Sequence, residues 1–161
     1  MAERVEAMCA HRLNPDFVII ARTDARHVTG FEDAVARANA YRQAGADMIF
    51  PEGLQSVEEF ARFAKESPGP LLANMTEFGK TPDINVSQFQ QLGYHVVIYP
   101  LSVMRVAMGH VTTALHALKR DGSMKAVISS MQTRKELYEL LGYTPGAQWN
   151  FPHGHDGSTA H

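Results

Sequence analysis

Three arginines, one glutamate and an Asn-x-Thr pair form the chemically loaded part of this sequence. Arg22-Thr23-Asp24, Pro51-Glu52, Asn74-Met75-Thr76-Glu77, and Tyr99-Pro100 with Ser102 and Arg105 each follow a short apolar run, and Arg134 stands at a helix start further on. A guanidinium is a planar fork of donors matched to a carboxylate. Arg22, Arg105 and Arg134, with Glu52, Asn74 and Thr76, therefore suit a small, multiply anionic ligand. Each also has a structural alternative. Arg22 and Asp24 read equally as an ion pair ending a strand, Glu52 as a solvated turn residue, Asn74 as a binder of loop backbone, and Arg105 as a surface charge. Arg134 in a first helical turn opposes the helix dipole, an effect of about 0.3–1 kcal/mol that an anionic ligand would offset.

Other chemistries find less support. Cys9 is the single cysteine of 161 residues, which excludes an internal disulfide framework and a cysteine zinc cluster. It shares an amphipathic segment with Val5 and Met8, a setting for packing rather than nucleophilic attack. No Gly-rich phosphate loop, Gly-x-Ser-x-Gly elbow or His-Glu-x-x-His motif is present. His153, His155 and His161 form a loose group that reads as solvated rather than metal-binding. Fifteen Lys+Arg against seventeen Asp+Glu leave a formal charge of −2, without a basic stripe for nucleic acid. No apolar run approaches the roughly 20 residues of a membrane helix, and Met1 to Glu6 do not resemble a secretory signal. A cytoplasmic globular domain with no nucleic-acid or membrane partner is the expectation.

The elements that must position these residues follow from hydropathy. Phe17 to Ala21, Asp47 to Phe50, Pro70 to Asn74 and His95 to Tyr99 are continuous apolar runs bounded by turn residues. Such runs suit strands of a parallel sheet buried on both faces. Helices are predicted over 31–44, from Ser56, over 87–92 and 101–120, and from Thr133, besides the first segment. Thr29/Glu32, Ser56/Glu59 and Thr133/Glu136 have capping-box spacing. Alternating β/α units leave an open doubly wound sheet or part of a (β/α) barrel, and both bind ligands at the carboxyl ends of the strands. That is the edge where the candidate residues fall. Residues 144–161, rich in Gly, Pro, His and Asn, are expected to form a disordered tail.

With these residues in view, the chain resembles the methylisocitrate lyases of the isocitrate lyase/phosphoenolpyruvate mutase superfamily. Asp16 to Asp24, Ala44 to Glu52, Leu72 to Pro82, Tyr99 to Ser102 through Arg105, and Met131 to Tyr138 carry the likeness, which extends over about residues 3–143. The resemblance implies an α/β fold, a partial (β/α)8 TIM-type barrel containing strands five to eight with flanking helices over 1–143. It implies cleavage of 2-methylisocitrate, a tricarboxylate, to pyruvate and succinate with Mg2+, in propionate catabolism. It also implies substrate contacts at Arg22, Glu52, Asn74, Met75, Thr76, Arg105 and Arg134.

The family's Mg2+-binding aspartates and its Lys-Arg-Cys-Gly-His loop have no counterpart, and Cys9 does not inherit the catalytic role. The expectation is therefore a fragment with little activity alone and no catalytic or metal-ligating residue of its own. Four strands cannot close a barrel, and interior positions near Val18, Ile20, Ile49, Leu72 and Val97 would lose partners. Self-association, a homo-oligomer or a complementary N-terminal half follows from that exposed surface. Oxaloacetate or dimethylmalate chemistry, and a non-catalytic interaction module or pseudoenzyme, are the alternatives.

Overall fold

The computed structural model describes residues 1–147, which excludes most of the expected tail and its three histidines. The chain divides into two compact units, residues 1–107 and the residues from 108 onward.

In the first unit, four β-strands alternate with helices. The order is α1 (Ala2–Ala10), β1 (Ile20–Thr23), α2 (Ala25–Val28), α3 (Phe31–Gln43), β2 (Met48–Pro51), α4 (Val57–Glu66), β3 (Leu72–Asn74), α5 (Val86–Gln91) and β4 (Val96–Ile98). β1 pairs with β2 in parallel, Ile20 opposite Met48, and β3 pairs with β4 in parallel, Leu72 opposite Val96. A single parallel bridge between Ile49 and Leu71 joins the two pairs. Every strand thus points the same way, and all four carboxyl ends lie along one edge.

The strands begin later than the apolar runs suggest. β1 starts at Ile20 rather than Phe17. Its entry is pinned by Asp47, which accepts the Ile19 N–H at 2.7 Å and the Arg12 guanidinium at 2.7 Å. Burial on both faces is also corrected for β1: Ala21 and Thr23 are buried, whereas Ile20 is 45% exposed. As an edge strand, β1 has a neighbour on one side only. Of the positions expected to lose partners, Val18 and Ile20 are exposed, but Ile49 and Leu72 are buried.

The core lies between sheet and helices. Ala34, Val35, Ala38 and Tyr41 of α3 join Ile49 of β2, while Phe60 and Phe63 of α4 join Phe89 and Tyr94. Phe60, Phe89 and Tyr94 pack edge-on with ring centroids 5.2–5.4 Å apart, an arrangement the ring quadrupoles favour. Burial pushes the Tyr94 phenol pKa upward.

Helix starts show which capping signals act. Ser56 accepts the Glu59 N–H, but the Glu59 carboxylate turns instead to Arg26. Thr29 does not cap α3. Its hydroxyl donates to the Ala25 carbonyl and to Asp33, and Gly30 at φ +108° takes the N-cap position. Asn85 and Gln88 form a complete capping box at the start of α5.

The division between units falls within α6 (Ser102–Asp121), which a 3-10 turn (Lys125–Ser130) and α7 (Arg134–Leu141) follow. Thr133 and Glu136 complete their capping box, and Gly142 in the left-handed region ends α7. Among the described residues from 108 onward, Ala117 is the one buried hydrophobic side chain.

Candidate active site

The carboxyl edge of the first unit carries a connected polar chain. Arg22, on the exposed side of β1, grips Asp24 with two hydrogen bonds, Nε to Oδ2 at 3.0 Å and Nη2 to Oδ1 at 2.6 Å. This grip holds the Asp24 carboxyl below the usual carboxylate range, against the upward push of desolvation. The same guanidinium lies 3.5 Å from Glu52 Oε2 and stacks over the Phe50 ring at 4.9 Å. Glu52 is placed by its own backbone, whose N–H donates to the Thr23 carbonyl at 3.0 Å and ties the end of β1 to the end of β2.

From Glu52 the chain continues across the edge. Asn74 at the end of β3 donates its amide to Glu52 Oε2 at 3.3 Å, and Thr76 donates its hydroxyl to Asn74 Oδ1 at 2.9 Å. With both ends of the amide engaged, its orientation is set. Glu52, Asn74 and Thr76 line a cavity of about 390 Å3 together with His27, Gly53, Gly79, Lys80 and Thr81. His27 and Lys80 escaped the sequence reading. His27 lies three residues beyond Asp24 and Lys80 four beyond Thr76, but neither residue type marks itself out at such positions.

The remaining expected residues fall differently. Met75 is buried in the hydrophobic core, with its backbone N–H donating to the Ile98 carbonyl at 2.8 Å. It also borders a neighbouring hollow lined by Thr76, Glu77, Phe78 and Tyr99. Arg105 joins the same run of loops through Glu77, whose carboxylate accepts from Nη1 at 2.9 Å. No hydrogen bond or ion pair among the described residues links Arg105 to the Arg22–Thr76 chain. Beside it, Phe78 has φ +65° and is 96% exposed. Left-handed backbone at a bulky residue is strained. Arg134 belongs to the second unit, where it opens α7 beside a hollow bordered by Tyr138 and Tyr143.

At this edge a guanidinium held in register, a carboxylate, an amide and a hydroxyl form one connected chain, the last three lining a single cavity. The sequence profile of phosphoenolpyruvate phosphomutase matches residues 1–119. The chain belongs to that family. A 2-methylisocitrate lyase of Aeropyrum pernix is 52% identical over 128 residues, covering 80% of this chain and 42% of the relative. That of Bacillus subtilis is 46% identical over 143 residues, covering 89% of this chain and 47% of the relative. The chain thus spans about half the length of the curated relatives it matches.

Among solved structures, a 2,3-dimethylmalate lyase of the PEP mutase/isocitrate lyase superfamily superposes with a TM-score of 0.78 at 34% identity, covering 88% of this chain and 50% of that one. A phosphonopyruvate hydrolase in complex with oxalate and Mg++ gives 0.74 at 32%, with 88% and 50% covered. The α/β fold is therefore that of the superfamily. In this chain, no group of three or more His, Cys, Asp or Glu among the described residues could hold a metal ion. Asp24 and Glu52, the carboxylates of the polar chain, both face Arg22. These residues alone do not fit a magnesium centre. No helix among the described residues is long and apolar enough to cross a membrane.

Proposed function

We propose that this chain supplies strands five to eight, over residues 1–143, of a (β/α)8 barrel that cleaves 2-methylisocitrate to pyruvate and succinate. The observation carrying this reading is the Arg22–Glu52–Asn74–Thr76 chain at the carboxyl edge. Cleaving the carbon–carbon bond leaves a carbanion-like carboxylate, so donors fixed before the reaction would stabilise the charge as it develops. Asp24 restrains Arg22, and Glu52 and Thr76 fix Asn74. The reacting acid would meet oriented groups rather than mobile ones.

The reading assigns substrate contact to Arg22, Glu52, Asn74, Thr76 and Met75, with Arg105 engaging another end of the acid. Arg105 would exchange Glu77 for substrate. Mg2+ and the catalytic thiol would belong to an N-terminal half, in the same polypeptide or a separate one, and no step is assigned here to the metal. The 41–52% identities to 2-methylisocitrate lyases, against 33–35% to dimethylmalate lyase and oxaloacetate acetylhydrolase, favour the methylisocitrate substrate.

A pyruvate-release assay with Mg2+ and 2-methylisocitrate tests this. The 161 residues alone should give no turnover. Adding an N-terminal half from a 2-methylisocitrate lyase should restore it, and Arg22→Ala should then lower kcat/KM by at least about 100-fold. Turnover by the chain alone, or a restored activity indifferent to Arg22, would refute the assignment.

A further inference from the structure

The polar chain at the carboxyl edge is internally compensated. One cation, Arg22, faces two carboxylates, Asp24 at 2.6 Å and Glu52 at 3.5 Å. Of these three groups Glu52 alone lines the cavity, and by itself its carboxylate would repel an organic acid. Positive charge from other lining residues would offset that repulsion.

Other lining residues do supply it. Lys80 and His27 border the same cavity as Glu52, Asn74 and Thr76. Among the described residues, the Lys80 side chain has no carboxylate within ion-pair range and no hydrogen-bond partner. The His27 ring likewise has no hydrogen-bond partner among them, while its backbone N–H donates to the Asp24 carbonyl at 3.2 Å. Thr81 adds a hydroxyl beside them. Arg12, Arg26, Arg62 and Arg105 of this unit are held at short range by Asp47, Glu59, Glu66 and Glu77, which leaves Lys80 as the ammonium available at this cavity.

The backbone makes room for the imidazole. Gly53 follows Glu52 with φ +73°, and a Cβ at that position would overlap the His27 ring. A side chain there would be strained by the left-handed backbone and would also push the ring off the cavity wall. Glycine at position 53 is what lets α2 bring His27 up to the cavity beside Glu52.

We infer that Lys80 and His27, with the Thr81 hydroxyl, form a carboxylate subsite in the cavity that Glu52, Asn74 and Thr76 also line. The ligand would lie across the cavity. One carboxylate would pair with the Lys80 ammonium and accept from the imidazole N–H, and the hydroxyl or second acid group would face Glu52 and Asn74. An imidazole can donate in either protonation state, so the contact needs no particular charge on His27. Charge-assisted bonds of this kind are the stronger class. The inference deepens the organic-acid reading of the site and rests on it.

Isothermal titration calorimetry of the full 161-residue chain with 2-methylisocitrate tests both levels. Lys80→Gln should weaken binding about tenfold, Lys80→Arg should retain it within about threefold, and His27→Phe should cost about threefold. Unchanged melting temperatures would show that the variants fold. If Arg22→Ala abolishes binding while Lys80→Gln binds like the wild type, the organic-acid site stands and the subsite falls. If His27→Phe has no effect, the imidazole is removed from the assignment. If the unmodified chain binds no 2-methylisocitrate, the site reading and the subsite fall together.

Discussion

Residues 1–107 and those from 108 onward are both written in amphipathic segments, yet they treat their apolar side chains in opposite ways. In the first unit Phe60, Phe63, Phe89, Ile49 and Leu54 are at most 2% exposed. In the second, Val111, Leu115 and Leu118 of α6 and Leu137, Leu140 and Leu141 of α7 all remain exposed. Helices at 102–121 and 134–141 nevertheless form, the latter with its caps in place. Local signals suffice to specify a helix, whereas burying its apolar face needs a neighbour. The first unit has that neighbour in its sheet.

The contrast predicts unequal responses to truncation. Phe89→Ala should lower the unfolding free energy by about 3–5 kcal/mol, because it opens a cavity among Phe60 and Tyr94. Leu140→Ala, at an exposed position, should change it by no more than about 0.5 kcal/mol. Urea denaturation followed by tryptophan-independent far-UV signal measures both. Comparable losses at the two sites would show that α7 is as well packed as the sheet.

A second expectation concerns association. Contiguous apolar surface favours self-assembly, so the chain should sediment as an oligomer at micromolar concentration. Replacing Val111 and Leu118 together by Glu should shift it at least severalfold toward monomer. A wild-type chain that sediments only as monomer would remove the argument.

Charge pairs differ between the units as well. Arg26 and Glu59 form a half-buried, bidentate pair that holds the Glu59 carboxyl below its ordinary pKa. A depressed folded pKa contributes stability that is complete above the unfolded value, about 4.3, and is lost as pH falls through the folded one. Glu59→Gln should therefore cost about 1 kcal/mol at pH 7. It should also flatten the stability profile below about pH 4.3. Lys135 and Glu139 of the second unit lie 3.8 Å apart and well exposed, where a pair contributes little to stability. Equal pH profiles for wild type and Glu59→Gln would contradict this.

The smallest effect separates two threonines with the same sequence signature. Thr133→Ala removes a cap that accepts the Glu136 N–H and should reduce local stability by about 1 kcal/mol. Thr29→Ala, where Gly30 is the cap, should cost only about a few tenths. Amide exchange at Glu136 and Glu32 would distinguish them. Equal losses would mean that Thr29 does cap α3 in solution.

Much of this pattern was legible beforehand, and the misses share a cause. The four apolar runs became four parallel strands, and their spacing announced the crossovers. The start of β1 was displaced because hydropathy records a tendency to be buried, whereas a strand begins where its ladder finds a partner. Phe17 and Val18 are apolar but precede that partner. The Thr29 signal failed because the helix begins one residue later than the spacing implies, with Gly30 at the N-cap. At the site, Arg22, Glu52, Asn74 and Thr76 were legible from their places at strand ends. His27 and Lys80 were not, since the first depends on a glycine opposite and the second on a loop folding back.

By itself, then, the sequence determined the succession of strands and helices, the working caps at Ser56 and Thr133, and the edge where polar groups would gather. Those properties arise from interactions spanning a few residues or from alternation along the chain. The tertiary structure alone decided that Arg22 would be shared between Asp24 and Glu52, that Arg105 would be held by Glu77, and that Lys80 and His27 would line one cavity with Glu52. Each depends on groups from different strands or loops meeting within a few ångströms, and Coulombic and hydrogen-bond energies vary steeply over that range.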